Sequence, residues 1–163
     1  SVLINDKIYA AMAEESGKQG IFGHGYTYSG HPVAAAVALE TLKIYEEIDI
    51  VNQVQSVAPT LQDGLMAMQD HDLIGEVRGV GLIAGVELVA DKASKAAFDP
   101  MAKVGAKVMA IAEENGLLIR NMGDVLALCP PLIIDEETVV EMLARFKTSL
   151  DAGAAWVSEQ GLR

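Results

Sequence analysis

Residues 33–39 read Val-Ala-Ala-Ala-Val-Ala-Leu, a helix-forming run with no polar position. Four of the seven are alanine, the strongest helix former. A helix that is apolar on every side has to be covered on every side. The run is therefore expected to be buried all round, and it demands more partner surface than a two-faced helix would. Pro32 suits the first helical position, because its φ is already helical and its missing N–H has no intrahelical partner there. From Glu40 the pattern becomes amphipathic, with Leu42, Tyr45 and Ile48 opposite Glu40, Lys43, Glu46 and Glu47.

The stretch that feeds this helix is Gly23-His24-Gly25-Tyr26-Thr27-Tyr28-Ser29-Gly30-His31. Glycines, hydroxyls and histidines alternate there without any helical or strand period, and the irregular segment is expected to run from Lys18 to His31. A loop of that length in a compact chain points to a binding role or a subunit contact. The free N–H groups at a helix start and the positive end of its dipole favour an anion. Thr27 and Ser29 add hydroxyl donors. Two readings stand at this point: a cradle for a phosphate or carboxylate, and a turn shaped only by packing.

Composition narrows the partners. The chain has 163 residues, room for one or at most two domains, and 12 Lys+Arg against 23 Asp+Glu give a net charge of −11. Nucleic-acid binding needs a basic footprint, so no nucleic acid is expected. The same balance argues against an anionic membrane surface, and no apolar run is long enough for a membrane span. Hydrophobic residues make up 51%, rich for a small domain, which points to surface shaped for another subunit or another domain. The single cysteine, Cys129, allows no intrachain disulfide. A reducing, cytoplasmic setting is the expectation. The chain opens on Ser1-Val2-Leu3-Ile4, which reads as a strand and not as a signal peptide. It is expected to be a piece of a longer protein.

Along the chain, Asp6 is expected to cap a helix carrying Ile8, Tyr9, Met12 and Ala13, stopped by Gly17. A further helix carries Val54, Val57, Leu61, Leu65 and Met68, kinked or restarted at Pro59. From Leu73 the period changes to that of strands. Leu73–Val77 and Leu82–Val89 read as extended around Gly79-Val80-Gly81. A helix with Val104, Val108, Ile111 and Ala112 follows Phe98-Asp99-Pro100 and stops at Gly116. Leu117–Arg120 and Val125–Leu128 flank the hairpin signal Asn121-Met122-Gly123-Asp124. Asp135 caps a last helix with Val139, Leu143, Phe146 and Leu150 inward, and the tail from Asp151 is expected to fray or dock elsewhere. The fold class is α+β: helices first, then a small, mostly antiparallel sheet with helices.

Several single residues invite functional readings. Gly79-Val80-Gly81-Leu82-Ile83-Ala84 matches a dinucleotide-binding pattern, but that pattern needs a helix after the glycines, and a strand is expected there. His24, His31 and His71 lack partners at metal-ligand spacing, so no metal is expected. Ser29 lacks the surroundings of a nucleophile elbow. Cys129 reads as a small buried hydrophobe at the end of a strand. Arg120 ends an apolar strand beside a hairpin. It is either half of an ion pair, the commoner fate, or a bidentate clamp for a substrate carboxylate.

Three blocks carry a family resemblance: His24–Pro32 with the alanine-rich helix; Arg78-Gly79-Val80-Gly81-Leu82 with Gly85-Val86-Glu87-Leu88; and Ile119–Asp124 with Pro130-Pro131-Leu132. In this order they resemble the C-terminal portion of class III aminotransferases, fold type I enzymes dependent on pyridoxal 5'-phosphate. The His-Pro form is most similar to the ω-transaminase group. The resemblance implies that residues 1–50 are the tail of the large cofactor-binding domain and residues 51–163 the connecting helix and small domain. It implies a homodimer joined through the 18–32 loop, with Tyr26 and Thr27 binding the cofactor and Thr27 reaching the phosphate held by the other subunit. Arg120 matches a mobile arginine that grips the carboxylate of an amino or keto acid, and the Arg78 block looks structural. The implied reaction moves an amino group from an amine or ω-amino acid to a keto acid such as pyruvate. The family's Schiff-base lysine and its pyridine-pairing aspartate lie upstream of the segment resembled here, and Lys7, Lys18 and Lys43 lack that context. The chain alone is therefore expected to be inactive, with no catalytic residue of its own. The alternatives are a non-catalytic binding or assembly module and, within the same cofactor class, an aminomutase or decarboxylase.

Overall fold

The structure is a computed structural model that describes residues 2–163. The chain divides into two compact units, one running to Lys43 and one from Ile44 to Arg163.

In the first unit, residues 2–5 carry no regular structure, so the expected strand at 1–4 does not form among the described residues; Ser1 lies outside them. Helix α1 spans Asp6–Gln19. Its cap is Asn5, not Asp6: Asn5 holds an extended backbone, and its Oδ1 accepts from the Ile8 N–H at 3.0 Å. Asp6 then sits in the first turn, where a carboxylate complements the helix dipole. Gly17 does not stop the helix. Lys18 pairs back to Glu14 within the last turn, and the helix ends at Gly20, whose φ of 102° suits glycine. The irregular segment therefore begins at Gly20, two residues later than expected.

Helix α2 spans Pro32–Glu47, with Pro32 as its first residue. None of its residues is buried, and Val33 is 65% exposed. This overturns the expectation that 33–39 is buried all round.

The second unit holds the core. Helix α3 spans Ile50–Met66 and buries Ile50, Val57, Leu61 and Leu65. It passes through the exposed Pro59 without restarting. Strands β1 (Ile74–Val80), β2 (Ile83–Leu88), β3 (Arg120–Met122) and β4 (Val125–Leu128) form one antiparallel sheet in the order β1-β2-β4-β3. This is the α+β arrangement expected from the change of period. The turn from β1 to β2 is Gly81-Leu82, with Gly81 at φ 58°; Gly79 and Val80, expected in the turn, are instead paired in β1 opposite Ala84 and Ile83. Two glutamines, one in α3 and one in the turn that follows it, tie this region to the hairpin. Gln62 Nε2 donates to the carbonyls of Gly81 (2.8 Å) and Ile83 (3.2 Å), and Gln69 Oε1 accepts from the Val77 N–H (2.9 Å).

A single 3-10 turn at Pro100–Ala102 precedes helix α4, Val104–Glu114. Strand β3 begins at Arg120, so Leu117–Ile119 are not strand, and the β3–β4 connection is the two residues Gly123-Asp124. Glycine at φ 63° permits so tight a turn. Arg120 starts the strand it was expected to end.

Helix α5 runs from Glu136 to Glu159, with Asp135 Oδ1 accepting from the Thr138 N–H at 2.8 Å. Its inward row continues past Leu150 through Gly153 and Val157 at helical spacing. The tail after Asp151 thus does not fray. The buried Gly153, small like its neighbours in the tail, lets α5 approach Val108 of α4. Leu61, Leu65, Ile74, Val86, Leu126, Val108 and Phe146 meet in one buried cluster between the helices and the sheet. Each such side chain contributes about 1.5–3 kcal/mol relative to exposure.

Candidate functional site

Two places carry the expected site residues, one in each compact unit, and each is described by itself.

The 20–31 segment is shaped by its own groups. The Ser29 N–H donates to the Tyr26 carbonyl (3.0 Å) and the His31 N–H to the Tyr28 carbonyl (3.2 Å), making two successive tight turns. Gly30, at φ 71°, takes the left-handed position of the second. Ser29 Oγ accepts from the Tyr26 N–H at 3.1 Å, so this hydroxyl closes the loop on itself. Rings line the stretch in short contacts: Phe22 with His24, His24 edge-on to Tyr26, and Tyr28 with His31.

Thr27 sits between these ties and is exposed, and its hydroxyl has no hydrogen-bond partner among the described residues. Tyr26 beside it is 77% exposed. The Ala35 N–H bonds the His31 carbonyl, which starts α2 and leaves the N–H groups of Val33 and Ala34 without helical acceptors. No Asp or Glu occurs from Ser16 to Leu39, although the chain has 23 of them. The segment thus presents a hydroxyl and helix-start donors and brings no carboxylate of its own, although Glu15 of α1 lines a cleft with residues 20–23. That donor set fits a phosphoryl group, the chemistry expected of the cofactor's anionic end. The histidines His24 and His31 serve as ring neighbours within the loop.

Arg120 lies at the start of the edge strand β3, paired with Ala127 of β4. It is exposed. The chain's other arginines are engaged. Arg78 meets Glu87 at 2.9 Å across β1 and β2, Arg145 donates to the Asn115 carbonyl at 2.9 Å, and Arg163 bonds the Asp72 carbonyl. Arg120 alone among the four has no hydrogen-bond or ion-pair partner among the described residues. In a chain with net charge −11, an unengaged guanidinium is what a carboxylate-binding residue requires. The cross-strand pairing of Arg78 fits the structural reading of its block.

Cys129 is not buried. Burial alternates along β4, with Leu126 and Leu128 inward, so the next residue turns to the opposite side. It opens onto a cleft of about 420 Å³ beside Pro130, Glu141 and Arg145.

One arrangement at the β3–β4 turn escaped sequence reasoning. The N-cap position of α4 is Lys103, in the left-handed conformation with no side-chain cap bond. The cap comes instead from Asp124, whose Oδ1 accepts from the Gly105 N–H at 2.8 Å. An aspartate after a glycine looks like an ordinary turn residue, and no local signal reveals a partner nineteen positions away.

The Aminotransferase class-III family profile matches residues 1–150. Gamma aminobutyrate transaminase 3, chloroplastic, of Solanum lycopersicum is 41% identical over 150 residues, covering 92% of this chain and 29% of its own length. A probable gamma-aminobutyrate transaminase 3, mitochondrial, of Oryza sativa subsp. japonica is 40% identical over 159 residues, covering 98% and 31%. Among solved structures, a transaminase with L-Ala superposes with a TM-score of 0.83 at 51% identity, covering 95% of this chain and 37% of that one. An omega transaminase from Pseudomonas jessenii in complex with PMP gives 0.83 at 46% identity, covering 96% and 34%. The chain spans about a third of the length of the relatives it matches. Agreement across nearly the whole chain, in sequence and in fold, makes it a member of the class III aminotransferases.

Proposed function

We propose that this chain is the C-terminal part of an enzyme that moves an amino group from an amine or ω-amino acid to a keto acid such as pyruvate. Class III aminotransferases depend on pyridoxal 5'-phosphate, which supplies the electron sink for amino transfer when bound. Residues 1–50 belong to the tail of the large cofactor-binding domain, and residues 51–163 to the connecting helix and small domain. The observation that carries the reading is the family match over residues 1–150. The names of the plant relatives favour a donor of the γ-aminobutyrate type, an amine at one end and a carboxylate at the other.

In this reading Thr27 donates its hydroxyl to the cofactor phosphate across a homodimer interface built on residues 18–32, and Tyr26 flanks the same position. The support is the unpartnered hydroxyl, the lack of Asp and Glu from residue 16 to 39 and the apolar surface nearby, where Ile21 is 94% exposed. Arg120 orients substrate by its carboxylate. The chain alone is inactive in this reading, since the family's Schiff-base lysine lies upstream of the segment resembled here and Lys7, Lys18 and Lys43 lie in helices without that context. No helix among the described residues is long and apolar enough to cross a membrane. A cytoplasmic setting completes the proposal on the strength of the lone cysteine, although the plant relatives carry chloroplastic and mitochondrial in their names.

The test is an assay of the full-length enzyme with pyridoxal phosphate, γ-aminobutyrate or a simple amine, and pyruvate. Alanine formation is expected, with none from residues 1–163 alone. No alanine from any donor, with the cofactor bound, would contradict the reading.

A further inference from the structure

We propose that Asp124 is a positioning residue for Arg120, setting the direction from which the guanidinium meets a substrate carboxylate. The inference rests on the proposed role of Arg120. Because no side chain or ion pair holds Arg120 among the described residues, its direction depends on the backbone of β3. That strand has three residues, lies at the sheet edge, and pairs only with β4. A strand so short is not fixed by its own ladder.

Asp124 supplies what the ladder lacks. Its carbonyl accepts from the Leu88 N–H of β2 at 2.8 Å, which registers the turn on the sheet interior. Its carboxylate accepts from the Gly105 N–H at 2.8 Å, which fastens the same turn to the start of α4. The charge sits at the positive end of that helix, where it is favoured. Gly105 makes the approach possible, because a Cβ there would meet the Gly123 carbonyl and come within 3.0 Å of the Asp124 Cα. Asn121 Nδ2 closes the turn on the Gly123 carbonyl at 3.3 Å. One residue thus locks the hairpin to both a central strand and a helix, four positions from Arg120.

A loosened hairpin lets Arg120 wander, and misplacement of a binding group by an ångström costs far more than its share of contacts. The loss should fall on substrates with a carboxylate and spare those without one. Asn at this position keeps an Oδ1 acceptor for Gly105, whereas Ala removes it.

The experiment uses the full-length enzyme carrying Asp124→Ala, Asp124→Asn or Arg120→Ala, each assayed with a keto acid acceptor and with a simple amine donor. Asp124→Ala is expected to raise KM for the keto acid by about tenfold, with KM for the amine within about twofold. Asp124→Asn should restore the keto-acid KM. Hydrogen exchange of residues 118–128, read without substrate, should speed up in the Ala variant and stay near wild type in the Asn variant. If Asp124→Ala yields no folded enzyme, Asp124→Ser, too short to reach Gly105, takes its place with the same readings. Equal effects on both substrates, or unchanged exchange, would overturn the positioning role while a selective Arg120→Ala effect left the Arg120 reading standing. A non-selective Arg120→Ala would remove that reading, and this inference with it.

Discussion

Gly105, in the first turn of α4, lies against the carbonyl of Gly123 in the β3–β4 turn with no room for a side chain between them. Alanine there would gain up to about 1 kcal/mol of helix propensity. The obstruction is backbone and cannot rotate away, and overpacking of this kind costs about 1–3 kcal/mol. Gly105→Ala is therefore expected to lower the melting temperature. Gly17→Ala, in open space within α1, should leave it unchanged or raise it. Thermal melts of the two variants check the contrast.

The end of α5 offers a second test. Val157 is fully buried although it lies six residues from the C-terminus. Val157→Ala should cost about 1–3 kcal/mol in chemical denaturation. Ser158→Ala, exposed on the same turn, should change stability by no more than about 0.5 kcal/mol.

His71 makes stability depend on pH. Its Nδ1 accepts from the Leu73 N–H at 3.2 Å, which leaves the proton on Nε2, 3.4 Å from Asp151 Oδ1. Burial pushes the imidazole below its ordinary value of 6.5, outweighing the pull of Asp151 and Asp72, with Lys147 adding to the downward shift. The unfolded chain then takes up this proton first as pH falls. The stability contribution is complete above about 6.5 and is lost as pH drops toward the folded value. Asp151, held below the ordinary carboxylate range chiefly by Lys147, adds a separate loss at lower pH. Denaturant midpoints between pH 7.5 and 5 should fall for the wild type and fall less for His71→Asn, which keeps an acceptor for Leu73.

If Arg120 orients substrate by its carboxylate as proposed, Arg120→Ala in the full-length enzyme should raise KM for keto acids far more than for simple amines. Removal of a charge-assisted bond of about 1.5–3 kcal/mol corresponds to roughly ten- to hundredfold. Steady-state kinetics with paired substrates reads it directly.

Much of this was legible in the sequence because local signals carried it. Pro32 starts its helix, Asp135 caps α5, Gly116 stops α4, and Val139, Leu143, Phe146 and Leu150 point inward as their spacing requires. The misreadings share a cause: the deciding group lay outside the window. Gly153 is core because Val108 of α4 is beside it, and Cys129 faces outward because burial alternates along β4 with Leu126 and Leu128 inward. The exposure of 33–39 is the informative misreading. The alanine-rich pattern signals a helix, which forms, but Val33, Val37 and Leu39 are exposed and not buried all round. The cap from Asp124 to Gly105 had no sequence signature at all.

The central claim of the proposal is that Thr27, in the 20–31 segment, grips the phosphate of pyridoxal 5'-phosphate. The direct measurement is cofactor affinity of the full-length enzyme, titrated into apoprotein for the wild type and for Thr27→Ala. A loss of roughly ten- to hundredfold is expected from one charge-assisted hydrogen bond. An affinity equal to wild type in a folded variant would contradict it.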